Sequence, residues 1–157
     1  MALALQNGIQ VWQKVEKALT NANPGAQEAF RGLKKWLTTQ KGNPQLQFIP
    51  FTAALLVADT GYSPIAVPAT VYAIYAKNTG SGGTDSYIRV YNSATNTTNT
   101  AAFITGVIQV AGDDFYAMKS NGWAFGTDVT ISADTGTDAT ESAAADAADG
   151  FILVGAA

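Results

Sequence analysis

The chain has 157 residues, 47% of them hydrophobic and only 13% charged, with no Cys and no His. The missing Cys excludes a disulfide framework and a thiolate metal site. The missing His removes the commonest general base and the commonest metal ligand. Thr, Asn, Ser, Ala and Gly take the place of charge, a composition that suits a β-rich virion-type or extracellular surface better than a typical cytosolic enzyme. Net charge is −3, unevenly divided: residues 1–44 hold six basic and two acidic groups (+4), and residues 45–157 hold three basic and ten acidic groups (−7). A basic arm on an acidic body predicts that the two parts meet different surfaces. The start, MALALQNGIQ, lacks the basic and apolar regions of a signal peptide. No apolar run is long enough to suggest a membrane span.

In chain order, Leu5, Ile9, Trp12, Val15 and Leu19 recur at helical spacing and predict a helix over residues 3–21. Asn21-Ala22-Asn23-Pro24-Gly25 breaks it, with Asn23 placed as N-cap and Pro24 as first residue of a second helix reaching Gln40. The apolar stripe of that helix is Ala26, Ala29, Phe30, Leu33, Trp36 and Leu37, and Gly42-Asn43-Pro44 ends it. Two amphipathic helices of this length draw their stability from packing. The stripes therefore cover one end of the β-region, or pack on neighbours in an assembly.

From Gln45 the period becomes that of strands. Gln45 to Ile49 alternates, Pro50 interrupts, and Phe51 to Ala58 reads as a buried strand. Pro64 and Pro68 keep the next segment irregular or at an edge. Thr70 to Asn92 reads as a β-hairpin around a Gly-rich turn, Thr79 to Thr84. In its second strand Ile88 and Val90 face a core, while Tyr87, Arg89 and Tyr91 face water or a partner. Strands follow at Phe103 to Val110, with Gly106 as a candidate bulge, and at Phe115 to Met118, before a tight turn at Asn121-Gly122. Thr127 to Ala133 alternates with Val129 and Ile131 inward. Ala133 to Asp149 is a low-complexity acidic tract, and Phe151 to Val154 closes the chain. The predicted fold is mainly β: an antiparallel β-sandwich or jelly-roll-like barrel (residues 45–157) preceded by an N-terminal α-helical hairpin (residues 1–44).

Two Asp-Thr-Gly triplets, at Asp59 and Asp134, follow apolar strands as the catalytic triplets of aspartic proteases do. Tyr62 and Thr137 stand where that family has a small residue, and the spacing is too short for two lobes, so turn chemistry accounts for both triplets. Asp113 with Asp114, or Asp134, Asp138 and Glu141, offer oxygen ligands for Ca²⁺ without a defined loop spacing. Tyr72, Tyr75, Tyr87, Tyr91, Phe115, Tyr116 and Trp123 offer either a sugar-stacking platform or core and interface residues. An acidic body repels phosphates, so no nucleic-acid partner is expected.

The run Tyr75-Ala76-Lys77-Asn78-Thr79, the Gly-rich turn, Asp85 to Asn92, and then Gly122 to Ile131 resembles the small all-β virion proteins of tailed bacteriophages, especially head decoration (cement) proteins. The resemblance covers roughly residues 50–157, and the helical arm has no counterpart in it. It implies a non-enzymatic structural protein without cofactor or metal, assembled in the host cytoplasm. It also implies a homo-oligomer, commonly a trimer, on the outer surface of the phage head, bridging capsomers of the major capsid protein with no membrane partner. On that reading Ile9, Trp12, Phe30 and Trp36 of the helical stripes, with Tyr87, Tyr91 and Trp123, supply attachment or inter-subunit packing. The competing class is a tail-associated receptor- or carbohydrate-binding β-sandwich.

Overall fold

The computed structural model describes residues 3–42, 44–56, 62–79, 85–93, 104–109, 112–134 and 148–157. The two helices are α1 (Gly8–Ala18) and α2 (Pro24–Lys41). Each begins where an Asn side chain satisfies a backbone donor left open at a helix start: Asn7 Oδ1 accepts from Ile9 N–H at 2.9 Å, and Asn23 Oδ1 from Gly25 N–H at 2.7 Å. Pro24 occupies the first turn of α2, as its fixed φ favours. Gly42, at φ +71°, ends the helix in a conformation other residues rarely adopt.

The strands are β1 (Gln6–Asn7), β2 (Gln45–Phe51), β3 (Tyr62–Ile65), β4 (Ala69–Asn78), β5 (Ser86–Tyr91), β6 (Ile104–Ile108), β7 (Asp114–Phe125), β8 (Val129–Asp134) and β9 (Ala148–Ala156). They form two antiparallel sheets, a five-stranded one in the order β1-β2-β9-β4-β7 and a four-stranded one in the order β3-β8-β5-β6. The expected β-sandwich is present, and it has a third layer. The helices lie on the outer face of the five-stranded sheet, which is therefore buried on both sides. Val11, Trp12, Val15, Phe30, Leu33 and Leu37 pack there against Leu46, Tyr72, Tyr75, Phe151 and Leu153. Of the two placements the sequence allows for the helical stripes, the chain covering its own β-region is the one observed. Between the sheets, Ile49, Val71, Ile74, Ile88, Val90, Ile131, Ile152 and Val154 form a second core.

In β4 the pairing register shifts at Tyr72 against both neighbours. This inserted residue lets Val71 and Ile74 both face the inter-sheet core, while Tyr72, Ala73 and Tyr75 face the helices.

Several expectations are corrected by the topology. The strands predicted as a hairpin exist, but β4 belongs to one sheet and β5 to the other, so they do not pair. Strand β4 is buried along almost its whole length, which suits a central strand between β9 and β7 rather than a half-exposed hairpin. Pro50 does not interrupt β2. Strand β1 pairs only with Gln45 and Leu46, so Pro50 lies where β2 is the sheet edge and a missing N–H is tolerated. The predicted strand from Phe51 contributes only Phe51; Ala53–Leu55 is a 3₁₀ turn, and Val57 and Ala58 lie outside the described residues. Gly106 is no bulge: it pairs in register with Ile88, and the Phe115 ring fills the space of a Cβ, which would lie 1.9 Å from that ring. The turn at Asn121-Gly122 is a bulge inside the single strand β7, with Gly122 at φ +76°. Ile9 leaves the α1 stripe, whose buried residues are Gly8, Val11, Trp12 and Val15.

Candidate functional site

The seven candidate interface residues are not brought together. Trp12 and Phe30 are buried in the chain's own helix–sheet core, and Tyr91 is buried on β5. These three surfaces are consumed within the fold. Trp36 is half-buried against the helix–sheet core, and Trp123 is half-buried against the inter-sheet core at the far end of β7. Tyr87 is half-buried, its hydroxyl 3.4 Å from Asp85 Oδ2. Of the seven, only Ile9 is exposed, at 63%.

The face of β5 expected to meet water or a partner is interior. Arg89 is 3% exposed and lies opposite Ser132 of β8 and Thr105 of β6; Tyr91 lies opposite Thr130, whose hydroxyl donates to the carbonyl of Ser93. The aromatic platform likewise loses Tyr72, Tyr75 and Tyr91 to the interior. Asp59, Asp138 and Glu141 lie outside the described residues, so neither the triplet pair nor the larger acidic ligand set is brought together by the described structure. Among the described residues, no three acidic side chains are placed to hold a metal ion. No described helix is long and apolar enough to cross a membrane.

Two charged surfaces emerge instead. The first is the outward face of the helical layer. Lys14, Lys17, Arg31, Lys35 and Lys41 are exposed and Lys34 half-exposed. Only two close ion pairs temper them among the described residues, Arg31–Glu28 at 2.8 Å and Lys34–Glu16 at 3.4 Å; Lys17 and Lys35 make none. Exposed pairs of this kind contribute under about 1 kcal/mol. Between the helices runs a groove of about 410 Å³ with Trp12, Leu19 and Phe30 in its floor and Glu16, Arg31 and Lys34 at its rim.

The second surface is one end of the sandwich, where strand register gathers the carboxylates. Asp114 and Asp149 both lie opposite Lys77 on β4, and Asp134 lies opposite Tyr87 near the start of β5. Asp113 and Asp85 immediately precede β7 and β5 at the same end, where Asn78 N–H donates to the Asp113 carbonyl at 3.0 Å. Of the body carboxylates in described residues, only Asp128, which precedes β8, belongs to the opposite end.

This acidic end also fastens the helices. Asp114 Oδ2 accepts from the backbone N–H of Asn23, and Lys77 Nζ donates to the Asn21 carbonyl at 3.0 Å. The Tyr75 phenol beside them is held well above the ordinary tyrosine range, first by burial, then by the charge of Asp114 and a hydrogen bond to it.

The basic face was legible as the +4 balance of residues 1–44. The acidic end was not, because its members are scattered in sequence and meet only through register. The signal that points to it is position: Asp85, Asp113, Asp114 and Asp149 each sit at or beside the start of a strand. Comparison of the chain with protein-family models, with curated proteins and with solved structures finds no match.

Proposed function

We propose that this chain is a non-enzymatic structural protein of a virion, a capsid decoration protein that binds the head lattice of a tailed bacteriophage and stabilises it. The observation that carries the reading is charge polarity on a rigid body. Three packed layers present a basic helical face on one flank and an acidic end on the β-sandwich. A lattice-bound protein needs chemically distinct surfaces that are fixed relative to one another, so that some contact shell or neighbours while others face solvent. The helices are fixed by a continuous aromatic core and by Asp114 and Lys77, which suits that role. The partners proposed are the major capsid protein and further copies of this chain, a trimer being the favoured assembly, on the outer surface of the head. The sequence resemblance across residues 50–157 points the same way.

The test is location and effect. Antibody against the purified protein is expected to label the head shell of source phage particles in electron microscopy, and heads lacking the protein are expected to open at lower temperature. Label on the tail tip, or particles without label, would count against the reading.

A further inference from the structure

We propose that the basic outer face of the helical layer docks on the acidic end of the sandwich in a second copy of this chain. The inference deepens the structural reading, which includes contacts between copies, by naming the surfaces. The warrant is complementarity within one sequence. The helical layer presents Lys17, Arg31, Lys34 and Lys35 against Glu16 and Glu28, with Lys14 and Lys41 at its margins, where Lys14 Nζ donates to Gln6 Oε1 at 2.8 Å and Lys41 Nζ lies 5.6 Å from the centre of the Tyr72 ring. The sandwich end presents Asp113 and Asp149, both exposed, and Asp85, half-buried, against Lys77. Two copies carry net charge −3 each and repel as whole bodies. An approach with opposite poles facing each other is therefore favoured over other orientations, and that preference orients the contact.

The surfaces differ, so the contact is heterologous: each copy uses its face on one neighbour and its end on another. Such a contact closes into a ring or continues as a filament, and a ring of three gives the trimer of the structural reading. Its strength is bounded by size. Helix α2, with 18 residues, is about 27 Å long, and two helices side by side offer a footprint on the order of 500 Å². A stable interface uses about 800 Å² per partner. The single contact is therefore weak and strongly salt-dependent, and gains persistence only when ring closure or a lattice holds copies near one another.

Sedimentation of the full chain over a wide concentration range tests this at about 20 mM and about 500 mM NaCl, between which the screening length falls from roughly 20 Å to about 4 Å. The expected result is a mass that rises with concentration at low salt and returns to that of one chain at high salt. Lys34→Glu with Lys35→Glu is expected to abolish association, and so is Asp113→Lys with Asp149→Lys. Mixing the two double variants restores opposite poles and is expected to restore it, while circular dichroism shows each folded. A single-chain mass throughout at low salt overturns the proposal. So does an oligomer that survives high salt or either reversal, or a mixture that stays monomeric. A salt-resistant trimer would overturn the polar contact and leave the decoration reading standing, since capsids are absent from the experiment.

Discussion

The five-stranded sheet separates two cores built from different side chains. The inter-sheet side is mainly aliphatic, with Ile, Val and Ala lining both sheets and Phe51 and Phe125 near its margins. The helix side is aromatic and centres on Phe151, whose ring lies 4.8 Å from Phe48, 5.3 Å from Phe30 and 5.6 Å from Tyr75. Two pleated faces interdigitate at a regular spacing that branched aliphatics fill. A helix pair laid on a sheet leaves deeper, less regular gaps, and large rings fill them. Adjacent residues of β9 serve both cores, Phe151 toward the helices and Ile152 toward the other sheet. The helical layer is thereby part of the folded body, and removing residues 1–44 would bare Leu46, Tyr72, Tyr75, Phe151 and Leu153.

The sharpest way to break this comparison is to empty each core in turn. Phe151→Ala is expected to cost about 3–5 kcal/mol and Ile152→Ala about 2–5 kcal/mol. In both variants helix loss at 222 nm and sheet loss in the infrared amide I band are expected to change in one coincident thermal transition, because β9 is common to the two cores. Loss of helix ahead of the sheet signal in Phe151→Ala alone would show instead that the helical layer is a separable unit.

The next effect concerns the bulge of β7. A Cβ on Gly122 would sit 2.1 Å from Thr70 Cγ2, and the backbone there has φ +76°. Gly122→Ala is expected to destabilise by roughly 1–3 kcal/mol from steric and backbone strain together. Adding Thr70→Ala removes the steric part alone, so partial recovery of the denaturation midpoint is expected. Full recovery would mean that the backbone conformation costs nothing.

These elements also show where sequence reading succeeds and stops. The start of α2 was legible because the signal is local, Asn23 and Pro24 acting within a few residues; the start of α1 was not, since the helix expected from residue 3 begins at Gly8, and Gln6–Asn7 pairs with β2 as strand β1. Strand existence was legible too, since β-branched and aromatic runs mark β4, β5 and β8. Strand partnership was not. A Gly-rich segment between two strands looks the same whether they pair or cross between sheets, and only the burial of β4 on both faces separates the cases. The polar face of β5 misled for a related reason. Arg89 and Tyr91 alternate with Ile88 and Val90 as solvent-facing residues would, yet lie inside the fold opposite Ser132 and Thr130. Of the candidate site, the basic half was visible as composition, whereas the acidic half exists only through the pairings of Lys77 with Asp114 and Asp149 and of Tyr87 with Asp134.

A smaller effect is expected where the helical layer is pinned to the sheet. Asp114→Asn weakens a charge-assisted bond to the N–H of Asn23 and is expected to cost about 1 kcal/mol. Asn23→Ala removes the cap to Gly25 N–H and is expected to cost about the same. Because the aromatic core remains in both, hydrogen exchange is expected to quicken at the start of α2 and stay slow in β4 and β9. Equal quickening throughout would place the pin at the centre of stability rather than at its edge.

The smallest effect separates burial from packing at Tyr75, which belongs to the helix–sheet core and borders the acidic end. Its folded phenol holds its proton above the ordinary value of 10.0, through burial first and then the Asp114 carboxylate. In the unfolded chain the same phenol ionises near that value, so above it the unfolded state loses the proton first. The contribution is intact below pH about 10 and is lost as pH rises from there toward the folded value, at no more than about 1.4 kcal/mol per pH unit. Tyr75→Phe keeps the ring against Phe151 and is expected to leave neutral stability nearly unchanged while flattening the alkaline decline. Denaturant midpoints at pH 8 and pH 11 check it. An equally steep decline in Tyr75→Phe would assign the alkaline sensitivity to other groups, and a large loss at pH 8 would show that the hydroxyl, more than the ring, anchors this part of the aromatic core.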